Sequence, residues 1–269
     1  MKPTIDGLKK RLSLEENSLR ISRVADEKTP TNSTKGVMYE MISDMGKVRN
    51  NNEDTCAVSQ FHLFKEGHDN QILVAAVADG MGGLESGEKA SYTAISEVMA
   101  YLSNDLALAV STKNKETLLE FAIRRANDKI MEFNAVLDAD RIMGTTMVLA
   151  MVIDSTLYFA HSGDSVIFHY NGKLSQANQI HRMKNSNALF SCLGLGKDMK
   201  VETGSFPLSS GESFLLCSDG LTDMVKNPQI KKIIASEPES PLKVVEDLKT
   251  EALNNGGIDN ISIVYGFMK

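Results

Sequence analysis

The sequence predicts an α+β fold in which antiparallel sheets carry helices on their outer faces. Three observations predict it. Short apolar segments rich in β-branched and aromatic residues recur along the chain. Fewer segments carry the three- and four-residue apolar spacing of a helix. Strands and helices come in blocks, without the strict alternation that builds a parallel, doubly wound sheet.

Residues 1–36 read as an N-terminal extension. They mix charges with scattered Leu and Ile and end in the linker-like "DEKTPTNSTKG". From residue 37 to 269 the pattern is denser and reads as one folded unit. Strands are expected at 72–79 ("ILVAAVAD"), 145–154, 156–164, 165–170, 213–219 and 261–267. Ala94, Ile95, Val98 and Leu102 share one helical face, and Leu119, Ala122, Ile123, Ala126 and Ile130 share another. A later helix is expected to open with Ser240 as N-cap and Pro241 in its first turn, burying Leu242, Val245, Leu248 and Ala252.

The chain has 269 residues, enough to bury a substantial core, and a net charge of −6. It lacks the clustered Lys and Arg of a nucleic-acid-binding face, so no nucleic-acid partner is expected. No apolar run approaches the roughly 20 residues of a membrane span, and the N-terminus has no signal-peptide pattern. A soluble cytoplasmic protein with no membrane partner is expected. The three cysteines, Cys56, Cys192 and Cys217, form no CxxC pair. They read as buried small hydrophobes in a reducing compartment.

The chemistry lies in acids that follow or precede apolar runs. Asp79 ends "ILVAAVAD" and is followed by Gly80. Asp164 follows "LYFAHSG", and Asp219 ends "SFLLCSD". Asp259 sits in "NNGGIDN", and Glu53 and Asp54 lie upstream in "RNNNED". If sheet edges bring these acids together, they need a cation. All-oxygen ligation favours a hard divalent ion, Mg²⁺ or Mn²⁺. Ca²⁺ is the rival, although the EF-hand spacing is missing. Gly80 would let its carbonyl or a bound water approach unhindered. Arg49, four residues before Glu53, suits bidentate phosphate binding. Hydrolysis of a phosphate ester follows as the expected chemistry.

The motifs "SDMGKVRNNNED", "VADGMGG", "GTTMV", "HSGDS", "CSDGLTD" and "GGIDNISIV" occur in the order found in metal-dependent type 2C protein serine/threonine phosphatases of bacterial type. The chain resembles that family from about Val37 to its end. The resemblance implies a four-layer αββα sandwich, two antiparallel β-sheets flanked by helices. It implies two Mn²⁺ or Mg²⁺ ions held by Asp79, the Gly80 carbonyl, Asp219 and Asp259. Glu53 and Asp54 would act through metal-bound waters, and Arg49 would bind the phosphate. Asp164 and Asp223 match a pair that holds a third ion in some members. A metal-activated bridging water would attack phosphoserine or phosphothreonine, with no phosphoenzyme. The implied partners are phosphoserine and phosphothreonine proteins, including a Ser/Thr kinase or its substrates.

Several positions depart from the family. Met81 stands where some relatives carry a histidine proposed as general acid. Val166 follows "GDS" where Arg is usual. The flap region 174–192 is short and reads "QANQIHRMKNSN" in place of the familiar "DHS" element. His161 reads as a structural histidine at a strand end; His62, His68, His169 and His181 show no ligand spacing. Two other functions compete: a phosphatase-like binding module without turnover, and a metal-dependent phosphodiesterase or nuclease. The unbroken acids disfavour the first, and the acidic balance disfavours the second.

Overall fold

The computed structural model describes residues 36–65, 68–82, 86–138, 142–184, 186 and 188–269. The rest of the expected N-terminal extension lies outside the described residues. In chain order the elements are β1 (Val37–Asp44), β2 (Asp54–Lys65), β3 (His68–Gly82), α1 (Gly87–Asn104), α2 (Leu106–Ser111), α3 (Lys115–Asn134), β4 (Met143–Thr145), β5 (Met147–Ile153), β6 (Thr156–Ser162), β7 (Val166–Tyr170), β8 (Leu174–Gln176), β9 (Glu202–Pro207), β10 (Ser213–Cys217), α4 (Asp219–Thr222), α5 (Asn227–Ser236), α6 (Pro241–Asn254) and β11 (Ile261–Met268).

Two antiparallel sheets form. One runs β1-β11-β10-β7-β8; the other runs β2-β3-β5-β6-β9, with the short β4 on β3. Strand alternation sorts the apolar side chains into three layers. Ile72, Val74, Ala76 and Ala78 of β3 face α1 and α3, whereas Leu73, Ala75 and Val77 face the other sheet. Met147, Leu149 and Met151 of β5 join the helical layer, and Val148, Ala150 and Val152 join the inter-sheet layer. In the second sheet, Phe214, Leu216 and Val264 point inward, while Leu215, Cys217, Ile263 and Tyr265 pack on α4, α5 and α6. The result is the expected αββα sandwich. Burial on both faces explains why β3 and β5 read as unbroken apolar runs.

The interior strands appear where the sequence predicts them. The four strands without a clear sequence signal, β1, β2, β8 and β9, are the sheet edges. Their solvated positions interrupt the apolar pattern; β9, for example, alternates half-buried and exposed residues. Two strand boundaries and one helix face differ from expectation. The strand expected at 145–154 breaks at Thr146, whose N–H leaves the ladder to donate to the Asp79 carbonyl at 2.8 Å. The strand expected at 213–219 stops at Cys217, and Asp219 instead opens α4. In α6, Leu242 is exposed and Val244 takes its place in the core; Ser240 is the N-cap residue but makes no side-chain cap hydrogen bond.

Leu149 is fully buried between β5 and the helices. Leu149→Ala is expected to destabilise the fold by about 2–5 kcal/mol, because close-packed neighbours collapse only partly into the cavity. The midpoint of urea unfolding checks this; an unchanged midpoint would contradict the layer assignment.

Candidate active site

Sheet register brings the acids together. Asp54 opens β2 and is the direct antiparallel partner of Asp79 on β3. In the other sheet, Cys217 of β10 pairs with Val166 of β7 and with Ile263 of β11. Asp164, just before β7, Asp219, just after β10, and Asp259, just before β11, therefore leave that sheet at one edge. Ser218 joins the two edges: its Oγ donates to Asp54 Oδ2 at 2.7 Å and accepts from the Ser262 N–H at 3.0 Å.

Neutral side chains hold the acids in place. The Asp79 carbonyl accepts from the Thr146 N–H and the Thr145 hydroxyl, both at 2.8 Å, and the Asp79 N–H donates to Thr146 Oγ1 at 3.1 Å. This is the structural work of the "GTT" motif. Asn260 is buried and binds the loop that carries Arg49 and Glu53. Its Oδ1 accepts from the Glu53 N–H at 2.8 Å, and its Nδ2 donates to the carbonyls of Met45 and Asn51, each at 2.9 Å. Gly80 has a more local reason than the one expected from sequence. A side chain there would collide with the backbone of Gly87 and Glu53, so glycine lets β3, the Glu53 loop and the start of α1 meet.

Two guanidinium groups face the cluster. Arg49 Nη2 lies 2.6 Å from Asp259 Oδ2. Arg182 was not singled out by the sequence. Its Nη2 lies 2.6 Å from Asp164 Oδ2 and 2.8 Å from Asp219 Oδ2, its Nε donates to Asp164 at 3.0 Å, and its Nη1 is 3.8 Å from Asp223. The expected third-ion pair, Asp164 and Asp223, is thus gathered around a guanidinium. Only the Val166 departure hinted at this, because it leaves the "GDS" turn without a cation of its own.

The cluster is electrostatically unfavourable in its bare form. Burial, and then the charges of Asp54, Asp219, Asp164 and Asp259, hold the Asp79 carboxyl well above the usual range. Burial pushes Asp54 to about 7 and Asp219 to about 6, against hydrogen bonds from Ser218 and attraction to Arg182, respectively. Glu53 is raised for the same first reason. The all-oxygen donor set and the unrelieved repulsion suit hard divalent cations. The cysteines offer no nucleophile: burial pushes Cys56 up to about 12 and Cys192 to about 11.

A second group lies alongside. His161 and Glu202 are register partners on β6 and β9, and His181 packs against His161 with ring centroids 4.7 Å apart. Each histidine has a nitrogen 3.9 Å from Glu202 Oε2. Burial lowers His161 to about 3 and His181 to about 4, so both are neutral. The Gly163 N–H donates to His181 Nδ1 at 3.3 Å. That assigns the ring proton to Nε2, the atom facing Glu202, which is the wrong tautomer for binding a metal there. The group instead anchors the segment that carries Arg182: the His181 N–H donates to the Gly163 carbonyl at 2.6 Å.

Raised carboxyls bind more protons folded than unfolded between about pH 4 and their folded values. Their burden on stability is therefore greatest at high pH and eases as pH falls. In EDTA, the carboxyls favour a higher Tm as pH falls from about 8, whereas His161 and His181, which protonate near pH 6.5 only in the unfolded chain, oppose them, so the carboxyl contribution is read from the slope that the Asp79 side chain adds. Asp79→Asn is expected to raise the Tm at about pH 8 and flatten that slope. Thermal unfolding followed by circular dichroism checks both; a lower Tm for Asp79→Asn would contradict the account.

The family profile described as Protein phosphatase 2C matches residues 48–248. The serine/threonine phosphatase stp of Listeria monocytogenes is 31% identical over 245 residues, covering 84% of this chain and 93% of that one. The protein phosphatase PhpP of Streptococcus pneumoniae is 29% identical over 243 residues, covering 83% and 94%. Among solved structures, the Mycobacterium tuberculosis serine/threonine phosphatase PstP/Ppp superposes with a TM-score of 0.72 at 25% identity, covering 87% of this chain and 99% of that one. The catalytic domain of PstP in complex with two manganese ions gives 0.69 at 28% identity, covering 87% and 98%. Six motifs in order, an αββα sandwich with its acids at one edge and a profile match across most of the folded part agree: the chain belongs to the protein phosphatase 2C family.

Proposed function

We propose that this chain is a metal-dependent protein serine/threonine phosphatase whose working unit is residues 37–269. The observation that carries the reading is the convergence of Glu53, Asp54, Asp79, Asp219 and Asp259, with Arg49, at one edge of two sheets. The unit closes on itself: β1 pairs with β11, and the Lys269 N–H donates to the Gly36 carbonyl at 2.7 Å.

Asp79, the Gly80 carbonyl, Asp219 and Asp259 are the residues that would hold two divalent cations, Mn²⁺ or Mg²⁺. The two manganese ions in the PstP complex support a two-cation site by kinship. Bound cations of this kind supply an acidic water for in-line attack and offset phosphoryl charge. The chain's own groups do the rest. Arg49 is half-exposed and sits on Asp259, so its guanidinium can turn its fork to a substrate phosphate. Glu53 and Asp54 sit beside the principal ligands, where their oxygens orient water. Asp54 is fixed for that task by Ser218. The buried, raised thiols speak against a cysteine phosphoenzyme. Phosphoserine and phosphothreonine proteins are the substrate class, and a Ser/Thr kinase or its targets would supply them.

The test is hydrolysis of p-nitrophenyl phosphate and of a phosphothreonine peptide in Mn²⁺, in Mg²⁺ and in EDTA. Turnover is expected with either metal, and EDTA is expected to abolish it. Asp219→Asn is expected to cost about a hundredfold or more in kcat. Folded protein with no turnover in either metal would leave the binding-module reading in its place. Arg49→Ala is expected to raise KM for the phosphopeptide more than it lowers kcat; an unchanged KM would remove Arg49 from phosphate binding.

A further inference from the structure

Asp164 is almost fully buried, and a buried carboxylate needs a counter-charge. Its neighbour Val166 offers none. The counter-charge comes from Arg182, eighteen residues on, delivered by the short segment between β8 and β9. Arg182 turns its donors to the acids: Nε and Nη2 both bind Asp164 Oδ2, Nη2 also binds Asp219 Oδ2, and Nη1 faces Asp223 at 3.8 Å. The Arg182 side chain is mostly buried, with 20% exposure. A small cavity of about 150 Å³ opens beside it, lined by Asp164, Arg182, Asp219, Thr222 and Asp223 among others.

The geometry points to Arg182 as a built-in cation that takes the place of a third divalent ion between Asp164, Asp219 and Asp223. This inference rests on the two-cation reading above. A hard ion such as Mg²⁺ would need oxygens of these same carboxylates at about 2.0–2.1 Å, in space that the guanidinium nitrogens fill. Arg182 cannot lose its charge, so this position is permanently neutralised, whatever the cation supply. Asp219 would then offer Arg182 one oxygen and a divalent ion the other, which makes Arg182 a positioning residue. One nitrogen, Nη2, bridges two carboxylates, and Nε adds a second contact to Asp164. The backbone around it is tied down at His181 by Gly163 and by the Phe190 N–H, which donates to the His181 carbonyl at 2.9 Å. Phe190 also packs its ring on His181 at 5.1 Å.

The test counts bound Mn²⁺ on the full chain by the electron paramagnetic resonance signal of the free ion. Wild type is expected to bind two. Arg182→Ser is expected to open a third, weaker site, and adding Asp164→Asn to that variant is expected to close it again. Arg182→Lys, which keeps the charge, is expected to stay at two. Arg182→Gln serves as the second charge-removing variant should Arg182→Ser fail to fold by circular dichroism. Three ions in wild type, or no gained site in folded Arg182→Ser or Arg182→Gln, would overturn the inference. Failure of the two-cation reading looks different: wild type would bind no Mn²⁺, or Asp79→Asn would bind as many ions as wild type.

Discussion

Crowding of carboxylates at one edge of two packed sheets is the constraint on which the rest of this molecule turns. Asp54 and Asp79 are direct strand partners, and Asp164, Asp219 and Asp259 arrive from the opposing sheet. Like charges at this density cannot all ionise without compensation, and burial makes each charge dearer still. Two guanidinium groups relieve part of the repulsion. The remainder is the driving force for cation binding.

Such a cluster needs a frame that does not relax away from the repulsion. The frame consists of neutral groups: the two threonines on the Asp79 backbone, Ser218 between the sheets, and Asn260 under the Arg49 loop. Each satisfies buried polar atoms without adding charge. Gly80 serves the same end by letting three backbone segments touch where a side chain would force them apart. The longer helices α1, α3, α5 and α6 on the outer faces contribute burial, and the short α4 carries Asp219.

The segment between β8 and β9 departs most from the family pattern, yet it carries a residue that binds two of the acids. Its anchoring is asymmetric along the chain. His181 turns into a neutral, buried pair with His161, and the next residue, Arg182, turns toward the carboxylates. One backbone constraint thus sets both the packing on one side and the charge balance on the other.

What was legible in the sequence follows from local chemistry. Interior strands are buried on both faces and so spell out apolar runs; α1, α3 and α6 show their buried faces as periodic spacing. Edge strands β1, β2, β8 and β9 escaped because their solvated positions take polar residues and interrupt the apolar pattern. The acids were legible as strand-end carboxylates beside glycine, and their order along the chain carried the family resemblance. Their meeting was not legible, because it depends on register between strands far apart in sequence. Asp54 and Asp79 face each other only once β2 and β3 have paired. Arg182 was hidden for the same reason. A lone arginine in a polar segment has no local signature, and only the turn at Gly163 and His181 aims it at Asp164. The sequence by itself therefore determined the layers and the chemical character of the site. The tertiary structure decided which charges meet, because Coulomb interactions act across space and not along the chain.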